Sequence, residues 1–236
     1  MIVGKALPHH HLSSESRDVI KLGMGLLATI SALVLGLLIA SAKGSYEDQK
    51  AEIDQISVNV ILLNGALSAY GPEAQEARDL LRRTVTTAIH RIWPSSLSRA
   101  SRIDDPKTMA EGRMLGARIR ALTPQDEMQR KLQSEALQID ADLSRAYLLL
   151  TARHEGSSIP KPFLIILIFW LVVLFAVFGL FASPNATVLT ILLVCALSVS
   201  CAIFLILDFA QPFAGVMEIS SAPLRAALSA LGSGPG

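Results

Sequence analysis

Apolar positions follow two rhythms along the chain. In three stretches they run on without an acidic or basic residue: 22–42 (LGMGLLATISALVLGLLIASA), 163–182 (FLIILIFWLVVLFAVFGLFA) and 186–207 (ATVLTILLVCALSVSCAIFLIL). A helix needs about 20 apolar residues to cross about 30 Å of hydrocarbon, so each stretch predicts a transmembrane helix. Leu, Ile, Val and Phe dominate the second, each worth about −0.3 to −0.6 kcal/mol near a helix centre. A buried helix of a water-soluble protein would explain one such run, but two adjacent ones argue against it. Ser183, Pro184 and Asn185 interrupt the last two runs. Pro is poorly tolerated inside a helix, and the neighbouring hydroxyl and amide can bind backbone groups at helix ends, so 183–187 is predicted as the tight turn of a membrane hairpin. The Asn-Ala-Thr sequon at the turn lies too near the membrane to be read as a glycosylation site.

The second rhythm is amphipathic and fills 43–161. Ile53, Ile56, Val60, Leu63, Leu67 and Tyr70 alternate three- and four-residue steps, a helical seam that follows the first membrane run with only a few residues between. One long helix is therefore expected to leave the bilayer and continue into water, with Gly44 a hinge candidate. Ala77, Leu81, Val85, Ala88 and Ile92 predict the next helix, ending at Trp93-Pro94-Ser95-Ser96, and a loop rich in Ser and Pro follows over 94–106. A shorter helix turns Met109, Leu115, Ile119 and Leu122 inward. Thr123 as cap, with Pro124 behind it, starts a long one through Met128, Leu132, Ala136, Ile139, Leu143, Ala146 and Leu150. No strand pattern is present. The predicted fold is an all-α integral membrane protein: an N-terminal tail (1–21), three transmembrane helices, an extramembrane helical domain (43–161) inserted between the first and second, and a C-terminal tail (208–236) lying along the interface. Asp208, Pro212 and Gly215 shape the exit from the third span.

Charge adds orientation. Three crossings put the helical domain and the C-terminus on one side, where Lys43, Lys50, Arg145, Arg153, Lys161 and Arg225 outweigh Lys5, Arg17 and Lys21 opposite. The positive-inside rule then favours a cytoplasmic domain and a multi-pass protein of the cell (inner) membrane. It also requires export of a short basic tail, a strain in that topology. Reading the first run as a signal peptide cleaved after Ala40-Ser41-Ala42 is the alternative, but the run exceeds the usual apolar length. The Arg-rich stretch 78–120 is read as a solvated helix surface and not as a nucleic-acid site, for want of an aromatic platform.

Within the spans, Ala28, Ala32, Gly36 and Ala40 form a small-residue line at four-residue spacing, and Ala196 with Ser200 a shorter one. Such lines let helix backbones approach closely, within one protomer or between protomers. Cys195 and Cys201 fall on different faces of one helix and read as packing residues. Gly23-Met24-Gly25-Leu26-Leu27-Ala28 mimics a dinucleotide fingerprint but has no preceding strand. His9, His10 and His11 are adjacent in a tail and make a poor metal site, and Asp104 with Asp105 falls short of the oxygens a calcium ion needs. Paired carboxylates, a nucleophile with its base and a metal-ligand set are all missing, so the chain reads as a non-enzyme without catalytic, cofactor-binding or metal residues.

The stretches HHLSSESRDVIKLGMGLLATISALVLGLLIASAKGSYEDQK, LLNGALSAYGPEAQEARDLLR, RIWP, FGLFASPNATV and FLILDFAQPFAGVMEISSAPLRAAL resemble those of the uncharacterised bacterial bestrophin-like membrane proteins, from about His9 to Leu228. The resemblance implies a remote relation to bestrophin chloride channels, and hence a homo-oligomeric anion channel embedded in membrane lipid. Similar proteins carry a further hydrophobic helix before this segment, which would relieve the topological strain, so a truncated start is expected. A non-conducting membrane scaffold, binding a protein partner through its helical domain, is the alternative function.

Overall fold

The computed structural model describes residues 14–93, 106–155, 161–181, 185–213 and 215–232, with backbone alone at 14–17, 106–111, 153–155, 161 and 181. Its α-helices, in chain order, are α1 (Ser14–Tyr70), α2 (Gln75–Ile92), α3 (Pro106–Arg120), α4 (Glu127–Glu155), α5 (Lys161–Phe181), α6 (Ala186–Phe209) and α7 (Ala222–Gly232), with a 3-10 turn at Pro72–Ala74. No strand occurs among the described residues. Contacts divide the chain into two compact units, Met1–Ser45 with Ser157–Ala210, and Tyr46–Gly156 with Gln211–Gly236. Helix α1 contributes its first part to one and its last part to the other.

The first unit is the membrane part. α1, α5 and α6 are each long and apolar enough to cross a bilayer. Their small packed centre joins Leu38 and Ala42 of α1 to Leu167 of α5 and Ile206 of α6, with Val34, Leu35, Leu164 and Leu171 around it. Most other large side chains point outward: Leu22, Leu26, Leu33, Phe169, Leu193 and Leu197 are all exposed. In water such a surface would drive association, whereas in lipid it is the solvated face. Hydroxyls in the spans turn back onto their own helix. Thr29 Oγ1 donates to Gly25 O at 2.9 Å, Ser31 Oγ to Leu27 O at 2.8 Å and Ser198 Oγ to Val194 O at 2.9 Å. Each donor is satisfied without water, as hydrocarbon demands. The chain is an all-α integral membrane protein, and among the described residues three helices are fit to span the bilayer.

The second unit is built on the seam of α1. Ile53, Ile56, Val60, Leu63, Leu67 and Tyr70 are all buried, against Ala77, Leu81, Val85, Ile89 and Ile92 of α2, Leu115 and Ile119 of α3, and Ala136 and Leu150 of α4. α2 packs on α3 and α7, and α3 on α4. Two glutamines of α4 close the open ends of neighbouring helices. Gln129 Nε2 donates to Tyr70 O at 3.0 Å, at the end of α1, and Gln133 Nε2 donates to Ile119 O at 2.9 Å and Leu122 O at 2.8 Å, at the end of α3. Carbonyls at a helix end lack the usual intrahelical donor, and Ile119 O otherwise receives only the long 3.3 Å bond from Leu122 N.

Four expectations differ from this structure. Residues 14–21, expected as tail, already belong to α1, whose first turn carries Ser14 and Glu15, residue types that favour a helix start. The start of α4 is at Glu127 and not behind Thr123: Asp126 Oδ1 accepts from Gln129 N at 2.7 Å, while Gln129 Oε1 accepts from Gln125 N at 2.8 Å. This reciprocal cap outcompetes the Thr-Pro signal. Met128, the first residue of the apolar line expected along this helix, is exposed. The C-terminal segment, expected along the interface, instead packs into the second unit: Phe213, Ile219, Leu224, Ala227 and Leu231 are buried in its core. The expected loop over 94–106 lies outside the described residues except for Pro106.

Gly71 makes the corner between α1 and α2, with φ +124°. That region is reserved for glycine, and a Cβ there would lie 2.8 Å from Glu73 Oε2. Gly71→Ala is expected to cost about 1–3 kcal/mol of stability. Gly65→Ala, inside α1 where a Cβ meets nothing within 4 Å, is expected to stabilise by about 0.5–1 kcal/mol. Urea unfolding followed by circular dichroism reads both, and a common sign would refute the strain at Gly71.

Candidate functional site

In the membrane unit, α1 has two unlike faces. Ser31, Leu38 and Ala42 are buried, whereas Leu33, Leu37, Ala32, Gly36 and Ala40 lie open. Of the small-residue line, Ala28 is half-buried, Ala32 and Ala40 are exposed, and a Cβ added to Gly36 would meet nothing within 4 Å. The protomer's own helices therefore pack on the side of α1 away from this line. In the third span Ala196 is half-buried and Ser200 exposed, and both cysteines are exposed. Asn185 stands as cap of α6 in extended conformation, with no side-chain cap hydrogen bond. Ser183 and Pro184 lie outside the described residues. At the exit, Asp208 is buried within the membrane unit, and Pro212 is buried and Gly215 half-buried in the second unit.

Pro212 has a partner: its carbonyl accepts from Ile219 N at 2.8 Å. This folds the chain back so that Ile219 O receives Trp93 Nε1 at 2.7 Å, while the Trp93 ring meets Phe213 edge-on at 5.7 Å. Sequence reading missed this latch. Its signal was present, because Leu224, Ala227 and Leu231 repeat at helical spacing and need a core to face.

The second unit also has a pocket of about 520 Å³ that opens to solvent past the exposed Arg113, Arg120 and Ser144. Ile56 and Val60 of α1, Leu81 and Val85 of α2, and Leu115 and Leu137 form apolar walls, and Arg113, Arg120, Asp140 and Ser144 bring polar groups. Asp140 is 91% buried. A Cβ on Gly116 would lie 2.6 Å from Asp140 Oδ2 and 3.1 Å from Arg120 Nη2, so the two charged ends face each other over bare backbone. No hydrogen bond or ion pair joins them. Burial pushes the Asp140 carboxyl above its ordinary range, and Arg120 partly opposes this. Among the described residues no three His, Cys, Asp or Glu side chains converge to hold a metal.

A carboxyl whose folded pKa is raised binds its proton more tightly in the folded chain than in the unfolded one. Asp140 therefore weakens the fold progressively as pH rises from its unfolded value of 3.8 through the raised folded value, and the penalty is complete above that. Asp140→Asn is expected to raise the melting temperature at pH 7 by a few degrees, roughly the effect of 1 kcal/mol, and to lose that advantage as the pH is brought below 3.8. Melting curves across this range check the sign.

A family model describing the bestrophin-like domain matches residues 1–224. The chain belongs to the bestrophin-like family. Two crystal structures of a bacterial bestrophin homologue from Klebsiella pneumoniae, each carrying a single substitution to threonine, share the fold of this bestrophin-like chain, with TM-scores of 0.68 and 0.69. Each is 13% identical to it and the alignment covers 89% of this chain and 85% of the other. No curated protein is similar to this chain at a significant level. The fold likeness extends the family assignment, made from sequence, to the arrangement of the helices.

Proposed function

We propose that this bestrophin-like chain assembles as a homo-oligomer into an anion channel of the inner membrane, with its helical unit on the cytoplasmic side. The reading is supported by family membership together with one observation: the face of α1 bearing Leu33, Gly36, Leu37 and Ala40 is covered by none of the described helices of its own protomer. In lipid, a helix face with small residues is suited to another helix or to a narrow pathway, because it lets backbones come close. The loop charges favour the cytoplasmic placement. Thr29, Ser31, Thr190 and Ser198 bond their own backbones and the runs 22–42, 163–182 and 186–207 hold no acidic or basic residue, so the spans would offer permeating ions an apolar constriction and not a charged relay.

Planar-bilayer recording of the purified full-length chain is the test. Unitary currents with a reversal potential near that of chloride in a salt gradient are expected. Gly36→Cys is expected to lose at least about tenfold of its conductance on reaction with a thiol-directed cationic or neutral reagent, since a bulky adduct blocks a narrow apolar pathway. Silence of a correctly assembled oligomer would overturn the proposal and favour a non-conducting scaffold. A reversal near the cation potential would overturn the anion selectivity, and currents unaffected by the adduct would move the pathway off this face.

A further inference from the structure

Helix α4 changes character in its last turns. Its outer face begins as that of a helix in water, with Lys131, Glu135, Gln138 and Asp142 all exposed. From Ala146 to Ala152 the sequence Ala-Tyr-Leu-Leu-Leu-Thr-Ala holds no charge. Leu150 and Thr151 are buried there, but Leu148 and Leu149 are 50% and 47% exposed, and Ala152 is exposed with them. A helix apolar on both faces needs apolar surroundings on both. The described helices supply them on one side only.

Covalent continuity with the bilayer says what covers the other side. The chain from Glu155, the end of α4, to Lys161, the start of the membrane helix α5, reaches at most about 20 Å. Leu149 lies about 9 Å before Glu155 along the helix axis. The same pattern recurs where the chain leaves the bilayer. α6 ends at Phe209, and soon afterwards Ile219 N closes onto Pro212 O at 2.8 Å, making a short loop that carries Val216, 81% exposed, and Met217, 45% exposed. Because α5 and α6 are consecutive spans, Lys161 and Phe209 lie on the same side of the membrane. The exposed Val58, Ile61 and Leu62, by contrast, begin about 24 Å along α1 from Ala42, well past the depth of a headgroup layer of about 5–8 Å. Charge agrees with a lipid partner: Arg145 is exposed one turn before Leu149, and from Arg145 to Lys161 the sequence sets three Lys or Arg against the single acid Glu155. Anionic headgroups attract such cations beside a span. We propose that the last two turns of α4 and the loop bearing Val216 and Met217 dock into the headgroup layer of an anionic bilayer, with Leu148, Leu149, Val216 and Met217 entering it and Arg145 among the phosphates. This docking is independent of whether the chain conducts and of how many copies assemble.

The test uses the full-length chain with its own cysteines replaced (C195S, C201S), in vesicles of phosphatidylcholine and phosphatidylglycerol. A thiol-linked, environment-sensitive dye is placed by Leu149→Cys, Val216→Cys or Met128→Cys. Met128, 65% exposed, stands about 30 Å from Leu149 along α4 and serves as the aqueous reference. A phospholipid with a nitroxide high on its acyl chain is expected to quench the dye at 149 and 216 at least about twofold more than at 128, because an interfacial side chain sits about 5–10 Å into the boundary of headgroup and acyl chain. Equal quenching at the three positions overturns the proposal. So does a dye at 149 or 216 that emits as if shielded yet is not quenched by the nitroxide lipid, since a protein surface then covers it. On the unaltered chain, a phospholipid bearing a diazirine just below its headgroup is expected to label the tryptic peptide 146–153, which holds no residue of the three apolar runs. Absence of label there, beside labelled spans, overturns the assignment even where a dye-bearing variant fails to fold.

Discussion

Replacing Trp93 by alanine is expected to destabilise the helical unit by about 3–5 kcal/mol, the range for removing a large buried aromatic side chain. Trp93 is only 9% exposed. It holds the returning chain in two ways, by its ring against Phe213 and by its indole N–H on Ile219 O at 2.7 Å. The variant loses the packing and leaves a buried carbonyl without its donor. Trp93→Phe separates the two, retaining most of the apolar area and losing the N–H, and is expected to cost about 1–3 kcal/mol. Because α7 packs against α2 and buries Leu224, Ala227 and Leu231, the loss should appear locally before it appears globally. Trypsin cleavage after Arg225 in the native protein is therefore expected to accelerate in Trp93→Ala ahead of general digestion. An unchanged unfolding curve together with unchanged cleavage would mean that the C-terminal segment is held by other contacts.

The contrast between what was legible and what was not follows from range. The membrane spans were legible because a bilayer sorts residues one at a time, so charge-free runs of sufficient length predict α1, α5 and α6 directly. The seam from Ile53 to Tyr70 was legible because helical periodicity is local, and all six of its residues are buried. The start of α4 failed on a competition between two local signals, Thr123 with Pro124 against Asp126 with Gln129, which only hydrogen-bond geometry decides. The C-terminal segment failed for another reason. Its apolar residues fit equally a membrane interface and a protein core, and the choice depends on Trp93, more than a hundred residues earlier. The cavity was invisible for the same cause. Asp140 is one polar position among many on α4, and its isolation arises only when Gly116 and Arg120 of α3 come over it.

Leu62 and Leu63 are adjacent on α1 and are expected to fail in opposite ways. Leu63 has no exposed surface, whereas Leu62 is 53% exposed, beside Val58 and Ile61 at 49% and 45%. Leu63→Ala opens a void in the core that joins α1 to its neighbours and is expected to cost about 2–5 kcal/mol, read as an earlier urea midpoint with the slope retained. Leu62→Glu keeps a strong helix former and removes only part of a half-covered side chain's burial, so the fold of the protomer should change by no more than about 1 kcal/mol. The helical unit is nevertheless not a place where lipid can solvate three large aliphatic side chains in a row. If the homo-oligomer proposed above forms with this stripe at a protomer contact, a buried and unpaired carboxylate there is expensive, and the assembly should dissociate. Light scattering coupled to size exclusion is expected to give a smaller particle for Leu62→Glu at unchanged helicity, and a native-sized but less stable one for Leu63→Ala. A full-sized Leu62→Glu assembly would place the contact between protomers elsewhere on the chain.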